Sequence, residues 1–225
     1  MIKIRLESYF LHELIALFAQ ELKSGYQVHR EHAMLTIKSP YYTSHGRAMD
    51  FSQGLGHFYL DIQLEEDLEI LFDIERYHPL RFLYCLQGEF FHSGLSGTLT
   101  HHVKAGQYIA YACTRGREQR IRFSAGKATK CIGIQLIRHD FIRAHDVSRL
   151  PSEIRAIVKD THAEQPYLMH STYSDAISLC LATPTINAPP GFAGDLLFEA
   201  KALEILGRQI GEYAQGEEST RSNGN

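Results

Sequence analysis

The 225-residue chain has no tryptophan, only four cysteines and seven prolines, and no apolar run long enough to cross a bilayer. The best membrane candidate, "MIKIRLESYFLHELIALFAQEL", is broken by Glu7, His12, Glu13 and Gln20 and lacks a small-residue cleavage site. It reads neither as a span nor as a signal peptide, which predicts a cytoplasmic protein with no membrane partner. Cys85, Cys113, Cys131 and Cys180 each sit inside an apolar stretch and form no C-x-x-C pair. That pattern suits buried thiols in a reducing compartment better than a disulfide frame or a zinc site. The net charge of −3 and pI of about 6.5 argue against a broad nucleic-acid surface, so the chain alone is not expected to bind DNA.

Chemistry is also sparse. Thirteen histidines include no His-x-His pair, and the neighbours His101 and His102 would face opposite sides of a strand. His29 and His32 have ligand spacing only for a helix, in a segment read as loop or strand, and His57, His78 and His92 stand alone. No metal site and no cofactor is expected. A Gly-x-Ser-x-Gly elbow is missing, "SGLSG" reads as a hairpin turn, and "GLG" at 54–56 lacks the rest of a dinucleotide fingerprint. No catalytic residue is assigned.

What is present is an ordinary globular balance, 44% hydrophobic and 22% charged, in a chain long enough for a sizeable core. Residues 1–26 form a helical N-terminal segment, with Phe10, Leu14, Leu17, Phe18 and Leu22 at helical spacing and Gly25 as its stop. Residues 27–137 hold ten short strand-like segments rich in β-branched and aromatic residues. Turn signals "SHG", "SQG", "QG", "SGLSG", "KAG", "TRG" and "SAG" separate them. With no helices between, they predict an antiparallel sandwich or barrel. Residues 138–215 read as helical, including "PSEIRAIVKD" and a face of Met169, Tyr173, Ala176, Ile177 and Cys180 after Pro166. Pro184, Pro189 and Pro190 break this run, and residues 216–225 read as a disordered tail.

The last helix carries two apolar stripes. Phe192, Leu196, Ala200, Leu203, Leu206 and Ile210 lie along one side, and Leu197, Phe198, Ala202 and Ile205 along the other. Two stripes imply two burial partners, the helix's own domain and a second surface. Leu196, Leu203, Leu206 and Ile210 are the candidate dimerisation residues.

Two features suit a ligand. Along "LRFLYCLQG", Leu80, Phe82, Tyr84 and Leu86 share one face, and Arg81, Leu83, Cys85 and Gln87 the other. Tyr59, Phe82, Tyr84, Tyr108 and Tyr111 combine stacking surface with hydroxyls that need polar partners. In an acidic chain, the basic run Arg115, Arg117, Arg120, Arg122, Lys127 and Lys130 stands out, and Arg120 and Arg122 share a strand face. It reads as a solvated face or as countercharge for an anionic ligand.

Three stretches carry a family likeness: "SHGRAMDFSQGLGHFYLDIQLEEDLEI", "PLRFLYCLQGEF" and "APPGFAGDLLFEAKALEIL". They resemble the sensory domain of AraC-type bacterial transcription regulators, in the ferric-siderophore-responsive, pyochelin-type branch. The last matches that branch's final helix at Leu197, Ala200, Lys201, Ala202, Leu203, Glu204, Ile205 and Leu206. The likeness spans about residues 40 to 215. It implies an α+β fold, an antiparallel β-barrel (cupin-like jelly roll) followed by C-terminal α-helices. It also implies a small-molecule effector, a ferric siderophore or another anionic aromatic compound, and a homodimer paired through the last helix. The family's paired helix-turn-helix motifs do not occur before Asn225, so the reading expects a sensory domain without its DNA-binding half. A metal-dependent cupin-type enzyme, an isomerase or dioxygenase, is the alternative.

Overall fold

A computed structural model describes residues 1–22, 25–29, 32–38, 43–73, 79–94, 99–183 and 191–222. The chain opens with β1 (Ile2–Leu6) and α1 (Leu11–Glu21). Then come β2 (Gly25–His29), β3 (His32–Lys38), β4 (Thr43–Phe51), β5 (Leu55–Ile62), β6 (Leu68–Phe72) and β7 (Leu80–Gln87). They are followed by β8 (Glu89–Ser93), β9 (Thr100–Lys104), β10 (Gln107–Ala112), β11 (Gln119–Phe123) and β12 (Thr129–Leu136). The C-terminal part holds α2 (Arg138–Ala144), α3 (Ser152–Lys159), β13 (Tyr167–Thr172), α4 (Asp175–Leu181) and α5 (Phe192–Ser222).

Two sheets result. One is ordered β1-β6-β11-β8-β9, the other β13-β10-β7-β12-β5-β4-β3-β2. Among the described residues every pairing is antiparallel except β1 with β6. The fold is α+β and jelly-roll-like, with two facing sheets that keep separate edges rather than one closed hydrogen-bonded barrel.

The alternation of side chains sets two cores. Leu68, Ile70, Phe90, Ile121 and Phe123 from the smaller sheet meet Leu60, Leu83, Ile109 and Cys131 from the larger one, forming the interior. The larger sheet's other face carries Tyr59, Leu80, Phe82, Tyr84, Tyr108, Ile132 and Ile134, which the C-terminal helices cover. A strand between two apolar layers loses its polar face, so β7 is buried at each position from Leu80 to Cys85. By contrast β11 alternates, with Arg120 and Arg122 exposed.

The helix α1 lies in the interior core through Leu11, Leu14, Ile15 and Phe18. Two glycines make room for it. A Cβ at Gly46 would sit 3.1 Å from Ile15, and one at Gly56 would sit 2.8 Å from Leu11. The "SHG" segment, expected to turn, is therefore the inside of β4, and its glycine serves close packing.

Three further expectations change. Ile2–Leu6 is a strand within the N-terminal segment read as helical, because its alternating Ile2, Ile4 and Leu6 register against Leu68, Ile70 and Phe72. After Pro166 the chain first forms β13, pairing with β10 from Gln107 to Ala112, and turns helical only at Asp175. An available sheet edge overrides the helical spacing there. Residues 216–222, read as a disordered tail, continue α5. The expectations for His78, most of "SGLSG", and Pro184, Pro189 and Pro190 lie outside the described residues.

Candidate functional site

The seven sequence-derived ligand residues fall in three places. Tyr59, Phe82, Tyr84 and Tyr108 lie on the helix-covered face of the larger sheet, while Tyr111 lies on its opposite, interior face. Arg120 and Arg122 point to solvent from the smaller sheet. Arg120 pairs with Glu118 at 3.1 Å, and the Arg122 guanidinium lies 4.9 Å above the Phe91 ring. The fold therefore does not bring Arg120 and Arg122 to the tyrosines, whereas Lys130 of the same run shares Asp61 with Tyr59, at 3.2 Å and 3.5 Å.

On the helix side the tyrosines form a polar link to α5. The Tyr84 hydroxyl donates to Gln209 Oε1 at 2.8 Å, and Gln209 Nε2 donates to the Tyr108 hydroxyl at 3.3 Å. The Tyr167 and Tyr213 hydroxyls are 2.8 Å apart, and Tyr167 donates to Glu153 at 3.0 Å. Burial raises the pKa of all four phenols, so they remain neutral donors and acceptors at physiological pH. Beside them lies a cleft of about 510 Å³ lined by Tyr108, Glu153, Met169, Gln209, Glu212 and Tyr213 among others. Two carboxylates and no cation line it, so its field disfavours an anion.

Further along α5, Asp195 accepts from Arg47 of β4 at 3.3 Å and stands 2.9 Å from His32 Nδ1. Phe198 is wholly buried, its ring 4.2 Å from the His57 ring and 4.4 Å from the Arg47 guanidinium. His57 itself bonds the Gly133 carbonyl through Nδ1, and burial holds its pKa down to about 4.

Of the four candidate dimerisation residues, Leu196 and Leu203 are 49% and 43% exposed, and Ile210 is half-buried. Leu206 is only 5% exposed and packs into the chain's own second core beside Phe198, Ala202 and Ile205. Leu206, read on the outer stripe, thus belongs to the buried side of α5, and Leu197, read on the other, is exposed.

The interior holds a polar group that no sequence pattern singled out. At the end of the sandwich near α1 gather Arg81, Tyr111, His92, Gln119 and Gln135, all buried. The opposite end is lined mainly by apolar side chains, among them Ile62, Leu68, Cys85, Phe90, Phe123 and Cys131, and its buried hydroxyls Ser44 and Thr129 donate to the backbone carbonyls of Gln63 and Glu89. Arg81 Nε donates to Gln135 Oε1 at 2.8 Å, Gln135 Nε2 donates to the Tyr9 carbonyl at 2.6 Å, and the Arg81 guanidinium lies 4.3 Å above the Phe72 ring. His92 stacks obliquely on Tyr111 with centroids 4.3 Å apart, and burial lowers its pKa to about 3. The only hint in the sequence was Arg81 alternating with Leu83 and Cys85 in an apolar strand. Periodicity could not tell which face was interior.

Among the described residues no three His, Cys, Asp or Glu side chains gather as a metal site. No helix there is long and apolar enough to cross a membrane.

The arrangement is a two-sheet sandwich with helices packed on one outer face. A family model described as the regulatory protein PchR N-terminal domain matches residues 43–224, and the chain belongs to that family. It is thus a regulatory N-terminal domain of the transcription-regulator type. No curated protein matched the sequence.

Solved structures similar to parts of the chain include a Cupin 2 conserved barrel domain protein from Salinispora arenicola (7% identity, 53% of this chain and 87% of that one, TM-score 0.33). An RmlC-like cupin from Shewanella frigidimarina is 10% identical over 42% of this chain and 76% of that one, with a TM-score of 0.31. Procruciferin, an 11S globulin from Brassica napus, is 12% identical over 44% of this chain, with a TM-score of 0.32. The chain spans only 27% of procruciferin's length.

Proposed function

We propose that this chain is the small-molecule-sensing and dimerisation domain of an AraC-type transcription regulator, acting in the cytoplasm without catalytic turnover. Its effector is a small anionic aromatic compound, with a ferric siderophore the leading class. Membership of the regulatory family is the observation that carries this reading. The hydrogen-bonded route from sheet to helix supports it. β7 carries Arg81 to the interior and Tyr84 to the other face, and β10 does the same with Tyr111 and Tyr108. A ligand drawn to the interior moves strands whose outer tyrosines hold Gln209 of α5. The effector belongs inside, because the outer cleft is lined by carboxylates and Arg120 already has an acidic partner.

The outward stripe of α5 supports the dimerisation part of this reading. Ala193, Leu196, Ala200, Leu203, Gly207, Ile210 and Ala214 recur at alternating spacings of three and four, the repeat of a coiled-coil seam, and all are exposed or half-buried. Small residues alternate with large ones, which lets two such helices approach closely. A second copy of this chain is the occupant, since a self-complementary stripe suits a two-fold pair.

Leu196→Asp with Leu203→Asp should convert dimers to folded monomers in light scattering at tens of micromolar, because charge would then be buried against the partner. Leu206→Asp should instead unfold the domain, since that side chain is internal. A wild type already monomeric at these concentrations overturns the dimer. The chain alone should leave promoter DNA unshifted at physiological salt, and a competitor-resistant shift would contradict this. The sensing role is tested by hydrogen exchange of α5 with and without a stabilising ligand, and an unchanged helix argues against it.

A further inference from the structure

Among the described residues, three polar side chains of the interior have atoms without a hydrogen-bond partner. Arg81 is 3% exposed, yet its Nη2 has no hydrogen-bond partner. His92 is 0% exposed, and neither ring nitrogen has one. Gln119 is 2% exposed, and its Oε1 is unpaired. Native interiors leave few such atoms, because each forfeits the hydrogen bonds it made to water. Three close together need a common explanation.

They do lie together. Arg81 is the register partner of Tyr111 across β7 and β10, and Tyr111 stacks with His92. Arg81 covers Phe72, whose register partner on β11 is Gln119. Charge sharpens the argument. No carboxylate among the described residues pairs with Arg81. The nearby Asp50 spends its oxygens on the backbone N–H groups of Leu11 and His12 and on the His12 ring. Burial accordingly lowers the Arg81 pKa despite the opposing influence of Tyr111, Cys113 and Asp50. A guanidinium in a low-dielectric interior without a contacting anion is costly, and the domain keeps one.

We propose that Arg81, His92 and Gln119 form the recognition site for a small hydroxylated aromatic carboxylate within the sandwich. Arg81 Nη2 and one His92 N–H donate to the ligand carboxylate, and Gln119 Oε1 accepts from a ligand hydroxyl. Of the four unpaired atoms, the two donors and the Gln119 acceptor match that pattern of ligand groups, the second His92 nitrogen remains an acceptor outside it, and the carboxylate provides the missing countercharge. This rests on the small-molecule-sensing reading and assigns the anionic end of the effector to residues other than Arg120 and Arg122.

The test uses benzoate, its three ring-hydroxylated isomers and benzamide, titrated into the whole chain. Thermal shift follows stability, and ¹⁵N-histidine NMR follows the His92 ring. At least one hydroxybenzoate should stabilise the chain more than benzoate at about 10 mM, a concentration suited to a millimolar ligand. It should also move the His92 nitrogen resonances, and benzamide should do neither. Arg81→Met should weaken binding by about tenfold to a hundredfold, the value of a charge-assisted hydrogen bond. Arg120→Glu with Arg122→Glu should leave binding unchanged. If Arg81→Met does not fold, His92→Phe, which keeps the ring and loses its N–H, should show a smaller loss.

The site is overturned if no carboxylate stabilises the wild type, if binding leaves the His92 resonances unmoved, or if Arg81→Met binds as well as wild type. A neutral ligand that stabilises both variants equally would overturn this site and leave the sensing function standing. Carboxylate binding here with no change in hydrogen exchange of α5 would keep the site and overturn the sensing function.

Discussion

Phe198→Ala should cost about 3–5 kcal/mol of stability, the range for truncating a fully buried phenylalanine. Its ring is wholly buried between the His57 ring and the Arg47 guanidinium, where β4 and β5 meet α5. Removing it leaves a cavity and deprives Arg47 of a cation–π partner, although Asp195 still holds that charge. Because Phe198, Ala202 and Ile205 dock the same helix, α5 should lose hydrogen-exchange protection ahead of the sheets. Urea unfolding at one fixed protein concentration measures the cost, since dimerisation would make the midpoint concentration-dependent. Phe192→Ala, at a site 77% exposed, is the control and should change stability by less than about 0.5 kcal/mol. A cost below about 1 kcal/mol at Phe198 would mean that α5 does not dock on this sheet.

Stability should also fall on mild acidification. Two buried histidines have folded-state pKa values held down by desolvation, His57 to about 4 and His92 to about 3. In the unfolded chain both titrate near 6.5. Above that value both states carry neutral rings and pH has no effect. As pH falls below 6.5, the unfolded chain takes up protons that the fold refuses, and stability is lost until the folded pKa values are reached. At about pH 5.5 each histidine has removed about 1.4 kcal/mol, or about 3 kcal/mol together. The perturbed carboxylates Glu89, Asp146, Asp160 and Glu204 have lowered pKa values and contribute to losses only at lower pH. Unfolding free energies between about pH 5 and pH 8 should therefore be flat at the top and decline below neutrality. Substituting either His57 or His92 by glutamine should roughly halve the decline. An unchanged decline in both variants would mean that these rings are not the groups responsible.

Much of the strand pattern could be read directly. "HAMLTIK" and "QRIRF" coincide with β3 and β11, because alternation of apolar and polar residues has only one period-two solution. The glycines of "SQG", "QG", "KAG", "TRG" and "SAG" adopt positive φ, as turns between those strands require. The errors have a common origin. β1 and β13 are short edge strands whose identity depends on a distant partner, and Gly46 looks like a turn glycine until a helix is laid over it.

The site was less accessible. Local sequence supplied the tyrosines, the basic run and the double-striped helix. It could state that Phe82 and Tyr84 share a face and that Arg81 and Leu83 share the other, because alternation is a property of the strand itself. It could not assign either face to the interior, since β7 is buried on both sides and its two apolar rows look alike. That choice was made by packing. One face of the larger sheet received α5 and its Gln209, and the other received the second sheet with His92 and Gln119. Leu206 and Leu203 were likewise equivalent on a helical wheel until the docking of Phe198 turned one inward and left the other in solvent. Periodicity is a local quantity, whereas burial is decided by which surfaces meet.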